Sequence, residues 1–184
     1  MKIIETGLPG LLIVEPSVFK DDRGYFFETF HHLRYYDAGI QTTFVQDNES
    51  KSVRGVVRGL HYQLNDFAQA KLVRVVQGKV FDVAVDLRAD SPTFGKWFGL
   101  ELDDTEKKQL FIPRGFAHGF SVLSETAIFT YKCDNVYNRE SERSINPFDE
   151  KMGIDWKIEK ASAIVSEKDM NAPAFVNAEM NFKM

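Results

Sequence analysis

The sequence predicts an all-β fold, a double-sheet sandwich of the jelly-roll kind with a few short helices. Three observations carry this. Short apolar or aromatic runs recur between turn residues every eight to twelve positions or so, helix-period patterning is scarce, and no strand–helix–strand alternation appears. With 184 residues, 43% hydrophobic and 13% aromatic, including 16 Phe, the chain has material for a real core in one domain spanning 1–184.

Taken in order, Ile3–Thr6 and Leu11–Glu15 flank the turn Gly7-Leu8-Pro9-Gly10. A second turn, Lys20-Asp21-Asp22-Arg23-Gly24, leads into the aromatic run Tyr25–Phe30, whose composition reads as a strand. Phe30 to Ala38, closed by Gly39, is the short helix. Gln41–Val45 reads as extended, and the polar run Gln46-Asp47-Asn48-Glu49-Ser50-Lys51-Ser52 reads by composition as loop. Val53–Val57 opens a central strand and Asn65–Ala68 is loop.

The clearest signal is a hairpin. Gln77-Gly78 separates Leu72–Val76 from Lys79–Leu87, and in the second arm Phe81, Val83, Val85 and Leu87 alternate with Asp82, Ala84, Asp86 and Arg88. That alternation gives one wet or ligand-facing side. Further strands are expected over Lys96–Leu102, Gln109–Pro113, Ser121–Leu123 and Ala127–Lys132. Residues 138–156 read as loop, and Asn171–Met184 carries no assignable pattern.

A net charge of −4 argues against general binding to nucleic acid or anionic membranes, so any phosphate recognition must be local. The single Cys133 excludes an intrachain disulfide and a cysteine zinc cluster. The N-terminus has no secretory pattern, and no apolar run approaches the ~18 residues that span a bilayer. A cytoplasmic protein is expected.

Chemistry concentrates in Arg58-Gly59-Leu60-His61-Tyr62-Gln63 and the following Gln69–Val76. Cations beside a titratable His suit an anionic ligand brought up to a proton-transfer group. On a regular strand, however, Arg58 and His61 face opposite ways, and only a twist or bend near Gly59 lets them converge. His61 and His118 lack the close His-x-His spacing and carboxylate of a metal-binding cupin, so no metal is expected. His31-His32 reads as surface. Neither a nucleophile motif nor a glycine-rich phosphate loop is present. The remaining set, His61, Lys71, Tyr131 and carboxylates such as Asp169, suits proton abstraction beside a carbonyl. Each also fits a structural role alone: Tyr131 as a core aromatic, Lys71 as a strand edge, Asp169 as a cap.

From Ile13 to Asp169 the chain closely resembles the dTDP-4-dehydrorhamnose 3,5-epimerase family. The resemblance rests on Asp22-Arg23-Gly24-Tyr25-Phe26, Gln46–Ser50, Arg58–Gln63, Lys71–Arg88, Ile112–Phe120, Phe129–Cys133 and Ser166–Asp169 in order. It implies a cofactor-free, cupin-like jelly roll acting on a dTDP-4-keto-6-deoxyhexose. His61 would be the base, paired with Asp169. Tyr131 would be the acid, and Lys71 would face the keto oxygen with His118 nearby. Arg23, Phe26, Glu28, Gln46, Asn48, Arg58, Glu142 and Lys168 match positions that hold the nucleotide and diphosphate, and Tyr137 is kept at the pocket. A homodimer is implied, in which Arg23, Phe26 and Glu28 serve the neighbouring subunit. One departure stands out. Many members have a Gly-Gly before an Ile, a Trp two residues after it, then Asp-Asp-Pro, where this chain has Arg143-Ser144-Ile145-Asn146-Pro147-Phe148-Asp149-Glu150. The resemblance puts that loop near the sugar, where it bears on whether both centres or only one are inverted.

Overall fold

The computed structural model describes residues 1–184. Two antiparallel sheets face each other. One has six strands in the spatial order β1 (Lys2–Glu5), β2 (Leu12–Glu15), β10 (Gln109–Ile112), β7 (Lys71–Gln77), β12 (Thr126–Cys133) and β5 (Gln46–Val53). The other runs β13 (Glu142–Ser144), β6 (Val56–Gln63), β11 (Phe116–Val122), β8 (Lys79–Asp86) and β9 (Trp97–Asp103), with β14 (Ile164–Val165) parallel to β6. A separate ribbon pairs β3 (Phe19–Asp21) with β4 (Gly24–Phe26). The helices are α1 (His32–Asp37) and α2 (Glu167–Met170). None is long and apolar enough to cross a membrane.

Alternation sorts the side chains into layers. Val73, Val75, Val80, Ala84, Phe120 and Phe129 fill the space between the sheets. On the outer side of the second sheet, Val57, Leu60, Phe81, Val83 and Val85 pack under Ile145, Trp156 and the C-terminal segment, which contributes Phe175, Met180 and Phe182. The stretch without a sequence pattern is therefore a cover, held by a 3₁₀ turn at Phe175–Asn177 and a bridge from Phe182 to Arg88. A third layer, including Tyr35, Ile40, Leu72 and Phe111, lies where α1 and its flanks cover the first sheet.

Several expectations change. The polar run Gln46–Val53 is a full strand, β5, not a loop, because it pairs residue by residue with β12 and forms a sheet edge. A turn at Arg54-Gly55 divides it from β6, so Val53 closes one strand and does not open the next. The aromatic run is strand only to Phe26. Beyond it Phe30 turns in to pack on Tyr35 and Phe44, with ring centroids 4.9 and 5.3 Å away. The strand expected from Ser121 begins at Phe116, and a short strand, β13, lies inside the supposed loop 138–156. The polar side of β8 is not wet, since every residue from Val80 to Arg88 is buried.

Candidate active site

One irregularity in β6 builds the site. His61 pairs with His118 and Arg58 with Phe120, so three steps along β6 match two along β11. The extra residue is a β-bulge. It puts Arg58 and His61 on the same, inward face while Val57 and Leu60 share the outer one. Gly59 permits it. Its φ is +134°, and a Cβ there would meet the Gly119 Cα at 2.6 Å. The convergence of Arg58 and His61 thus comes from this bulge at Gly59.

The cavity between the sheets, about 210 Å³, is lined by Arg58, His61, Lys71, His118, Tyr131 and Glu142, among others. A larger hollow of about 380 Å³ opens on the outer face of the first sheet beside Thr29, Arg74 and Lys132. It holds no histidine, and the acid–base groups sit in the smaller one.

On one wall, His61 Nε2 lies 2.7 Å from Asp169 Oδ1, and the carboxylate is almost wholly buried while the imidazole is a third exposed. Asp169 Oδ2 accepts the Gly59 backbone N–H at 3.4 Å. Burial alone would raise the Asp169 carboxyl, but its bonds to His61, Gly59 and Ser166 hold it below its ordinary value. The cap of α2 is Ser166, whose hydroxyl oxygen accepts the Asp169 N–H, which leaves the Asp169 carboxylate for the histidine. Beside His61, His118 Nε2 lies 2.9 Å from Asp82 Oδ2, with both side chains buried and the imidazole stacked near Phe129.

The facing wall carries Lys71 on β7 and Tyr131 on β12, with the ammonium 5.8 Å from the ring centroid. Burial pushes the Lys71 amine down, against the pull of Asp82 and Glu142, and pushes the Tyr131 phenol up. Tyr131 is therefore a protonated donor at neutral pH. Gln46, Asn48 and Ser50 project from the inner face of β5, opposite Cys133, Tyr131 and Phe129 in register. The Gln46 Oε1 accepts the Tyr137 backbone N–H at 2.9 Å. At the rim the Tyr137 hydroxyl donates to Glu142 Oε2 at 3.0 Å and Lys168 pairs with the same oxygen. Burial raises the Glu142 carboxyl, and its bonds to Lys168 and Tyr137 outweigh that, so it stays low.

Of the expected residues, Gln46, Asn48 and Lys168 are not among those lining this cavity, and Arg23, Phe26 and Glu28 lie away from it. Arg23 is exposed and paired with Asp21 at 2.6 Å, Phe26 is 72% exposed at the end of the β3–β4 ribbon, and Glu28 is held by Arg34 at 2.9 Å. Two residues went unassigned in the sequence. Gln63 accepts the Asn138 N–H and so anchors the turn carrying Tyr137, and Asp82 supports His118. The β8 alternation already set Asp82 apart from its apolar neighbours. The unusual loop 143–150 does not line the cavity. Ile145 exchanges backbone bonds with Leu60 and is fully buried behind β6.

A jelly roll whose inter-sheet cavity sets a His–carboxylate pair against a tyrosine and a lysine defines an acid–base enzyme of the isomerase class. Comparison agrees. The family model described as dTDP-4-dehydrorhamnose 3,5-epimerase matches residues 5–177, and the chain belongs to that family. It is 52% identical over 180 residues to the dTDP-4-dehydrorhamnose 3,5-epimerase of Shigella flexneri, covering 97% of this chain and 98% of that one. The crystal structure of dTDP-6-deoxy-D-glucose-3,5-epimerase from Legionella pneumophila, in complex with dTDP-4-keto-L-rhamnose, superposes with a TM-score of 0.95. It is 46% identical and covers 100% of this chain and 98% of that one. A 3'-monoepimerase from Streptomyces bikiniensis, in complex with dTDP-quinovose, is more distant, at 33% identity and a TM-score of 0.85 over 92% of this chain and 86% of that one.

Proposed function

We propose that the chain epimerises dTDP-4-dehydro-6-deoxy-D-glucose at C3 and C5, giving dTDP-4-dehydro-L-rhamnose on the route to dTDP-L-rhamnose. The observation that carries this is the placing of His61–Asp169 and Tyr131 on opposite walls of one cavity. Inversion needs a proton removed from one face of a carbon and returned to the other. The C4 ketone acidifies both neighbouring C–H bonds, so one site serves both centres, and the acidity needs no cofactor.

In each half-reaction neutral His61 takes the carbon proton and becomes an imidazolium beside the Asp169 carboxylate. The C–H electron pair moves into an enolate whose oxygen faces the Lys71 ammonium, with His118 alongside. The Tyr131 O–H then gives its proton to the opposite face of the carbon. The phenol regains a proton, and His61 loses one, through solvent. Arg58, Gln46, Asn48, Glu142 and Lys168 hold the diphosphate and nucleoside at the rim, where Tyr137 offers an aromatic face.

The β3–β4 ribbon points away from its own cavity and exposes Phe19, Tyr25 and Phe26. On our reading it serves a second copy, so that Arg23, Phe26 and Glu28 complete the partner's nucleotide site in a homodimer. Residues 1–184 act as one domain in the cytoplasm.

The test is proton NMR of dTDP-4-keto-6-deoxy-D-glucose with the protein in D₂O. Exchange at both H3 and H5, with the product trapped by a downstream reductase, is expected. Exchange at one carbon would make it a mono-epimerase. dTDP binding without exchange would leave a sugar-nucleotide-binding jelly roll.

A further inference from the structure

Asp82 sits on β8 with its side chain turned between the sheets and wholly out of solvent. Its Oδ2 meets His118 Nε2 at 2.9 Å, and its Oδ1 has no hydrogen-bond partner, the only buried side-chain polar atom so placed. A buried acceptor left unpaired costs stability, so a carboxylate in this position works against the fold. The one group it holds is His118. A carboxylate only accepts, so the Nε2 it meets must carry the proton. His118 Nδ1 bonds to nothing in the protein, and the residue lines the cavity beside His61.

We propose that Asp82 is a positioning residue of the reaction, fixing His118 as the Nε2–H tautomer so that a bare Nδ1 faces the substrate as a hydrogen-bond acceptor. Burial favours the neutral ring, and so do the nearby Lys71 and His61, although the Asp82 charge opposes them. A neutral His118 with a bare Nδ1 takes a hydrogen bond from a sugar hydroxyl. It cannot offer one to the enolate oxygen, which leaves Lys71 as the cationic donor at that atom. The two neighbouring histidines then differ in kind. His61, a third exposed and tied to Asp169, exchanges protons, and His118 orients a hydroxyl.

This deepens the function proposed above and rests on it only for the reaction step. The experiment is ¹⁵N NMR of histidine-labelled protein at pH 7 without substrate, on the wild type and on Asp82→Asn. The wild-type spectrum should show His118 neutral and protonated at Nε2. In Asp82→Asn, whose amide can also donate, His118 should shift toward the Nδ1–H form. That variant should lose about ten- to a hundredfold in kcat, with KM changed less than about threefold, since the nucleotide end dominates binding. A wild-type His118 found as Nδ1–H or as imidazolium would overturn the proposal. So would an Asp82→Asn protein with an altered tautomer but kcat within twofold. Should that variant fail to fold, the wild-type spectrum decides alone. A wild type inert toward the dTDP-sugar would instead overturn the proposed function, with Asp82's part in it, while the tautomer would still be read from the nitrogen shifts.

Discussion

His61 Nε2 and Asp169 Oδ1 stand 2.7 Å apart across 108 residues of sequence, and the carboxylate's other oxygen takes the N–H of Gly59, inside the bulge that aims the histidine. One carboxylate thus holds both the proposed base and the strand irregularity that presents it. Asp169→Asn should keep the fold and lower kcat by about 10²–10⁴-fold. His61→Ala should abolish deuterium exchange at both C3 and C5 while leaving dTDP affinity nearly unchanged. Exchange surviving in His61→Ala would remove His61 as the base.

In the proposed mechanism Tyr131 is the proton donor on the opposite wall, where burial pushes its phenol up. In Tyr131→Phe, formation of epimer should fall about 100-fold or more, while deuterium wash-in to recovered substrate falls much less. Comparing the two rates in one NMR time course checks this. An equal loss in both would count against the role.

Arg58 reaches the cavity mouth from the bulge, with Nε donating to Ser52 Oγ at 3.1 Å. Its removal should weaken dTDP binding by about 1.5–3 kcal/mol, roughly ten- to 150-fold. Titration calorimetry should also show a shallower salt dependence than in the wild type. An unchanged affinity would place the diphosphate elsewhere.

The ribbon reading has a stoichiometric test. His61→Ala spoils a chain's own cavity, and Arg23→Ala spoils what its ribbon brings to a neighbour. Mixed in equal amounts and allowed to exchange subunits, they should regain about a quarter of wild-type activity at low substrate, because half the dimers are hybrids with one intact site. Hybrids that form without recovery would mean that each chain uses its own ribbon.

Asp86 gives a test of stability. Its buried carboxylate receives Arg88 at 2.7 and 2.9 Å together with the Ser91 and Thr93 hydroxyls. Burial raises it, these bonds lower it further, and the balance falls from 3.8 to about 2. A depressed folded value means the stabilisation is complete above pH 4 or so and is lost as pH falls through about 2, a change of about 2 kcal/mol. Asp86→Asn should flatten that part of the stability–pH curve and cost about 3–5 kcal/mol near neutrality by leaving Arg88 unpaired. Urea denaturation across pH 2–7 checks both.

The sandwich was legible in the sequence because period-2 runs such as Phe81–Leu87 report directly on a sheet. Strand β5 was not, because its half-buried residues are Gln, Asn and Ser, which carry no apolar signal even though Ser50 lines the cavity. The acid–base set could be named from residue type. The joining of Asp169 to His61 came from the family resemblance and not from residue type, since it depends on how the C-terminal cover folds back over β6. Asp82 shows the reverse case. Its place in the alternation was visible, but a polar residue facing inward reads as a wet face until the opposite sheet is seen.

The departing loop 143–150 matters less to the pocket than its place in the family pattern suggests. Ile145 backs β6 from outside, and Glu142, not its successors, reaches the cavity.

The bulge in β6 says which kinds of mutation can make or unmake such a site. A substitution at Arg58 or His61 changes a side chain but leaves the bulge, and the bulge decides which way the histidine points relative to the arginine. Loss of the irregularity, as by a side chain at Gly59 where a Cβ would meet Gly119, would leave a regular ladder over the same interval and send either the arginine or the histidine to the far side. Sheets of this architecture can therefore share strand order and core packing yet differ in chemistry by one bulge kept or lost.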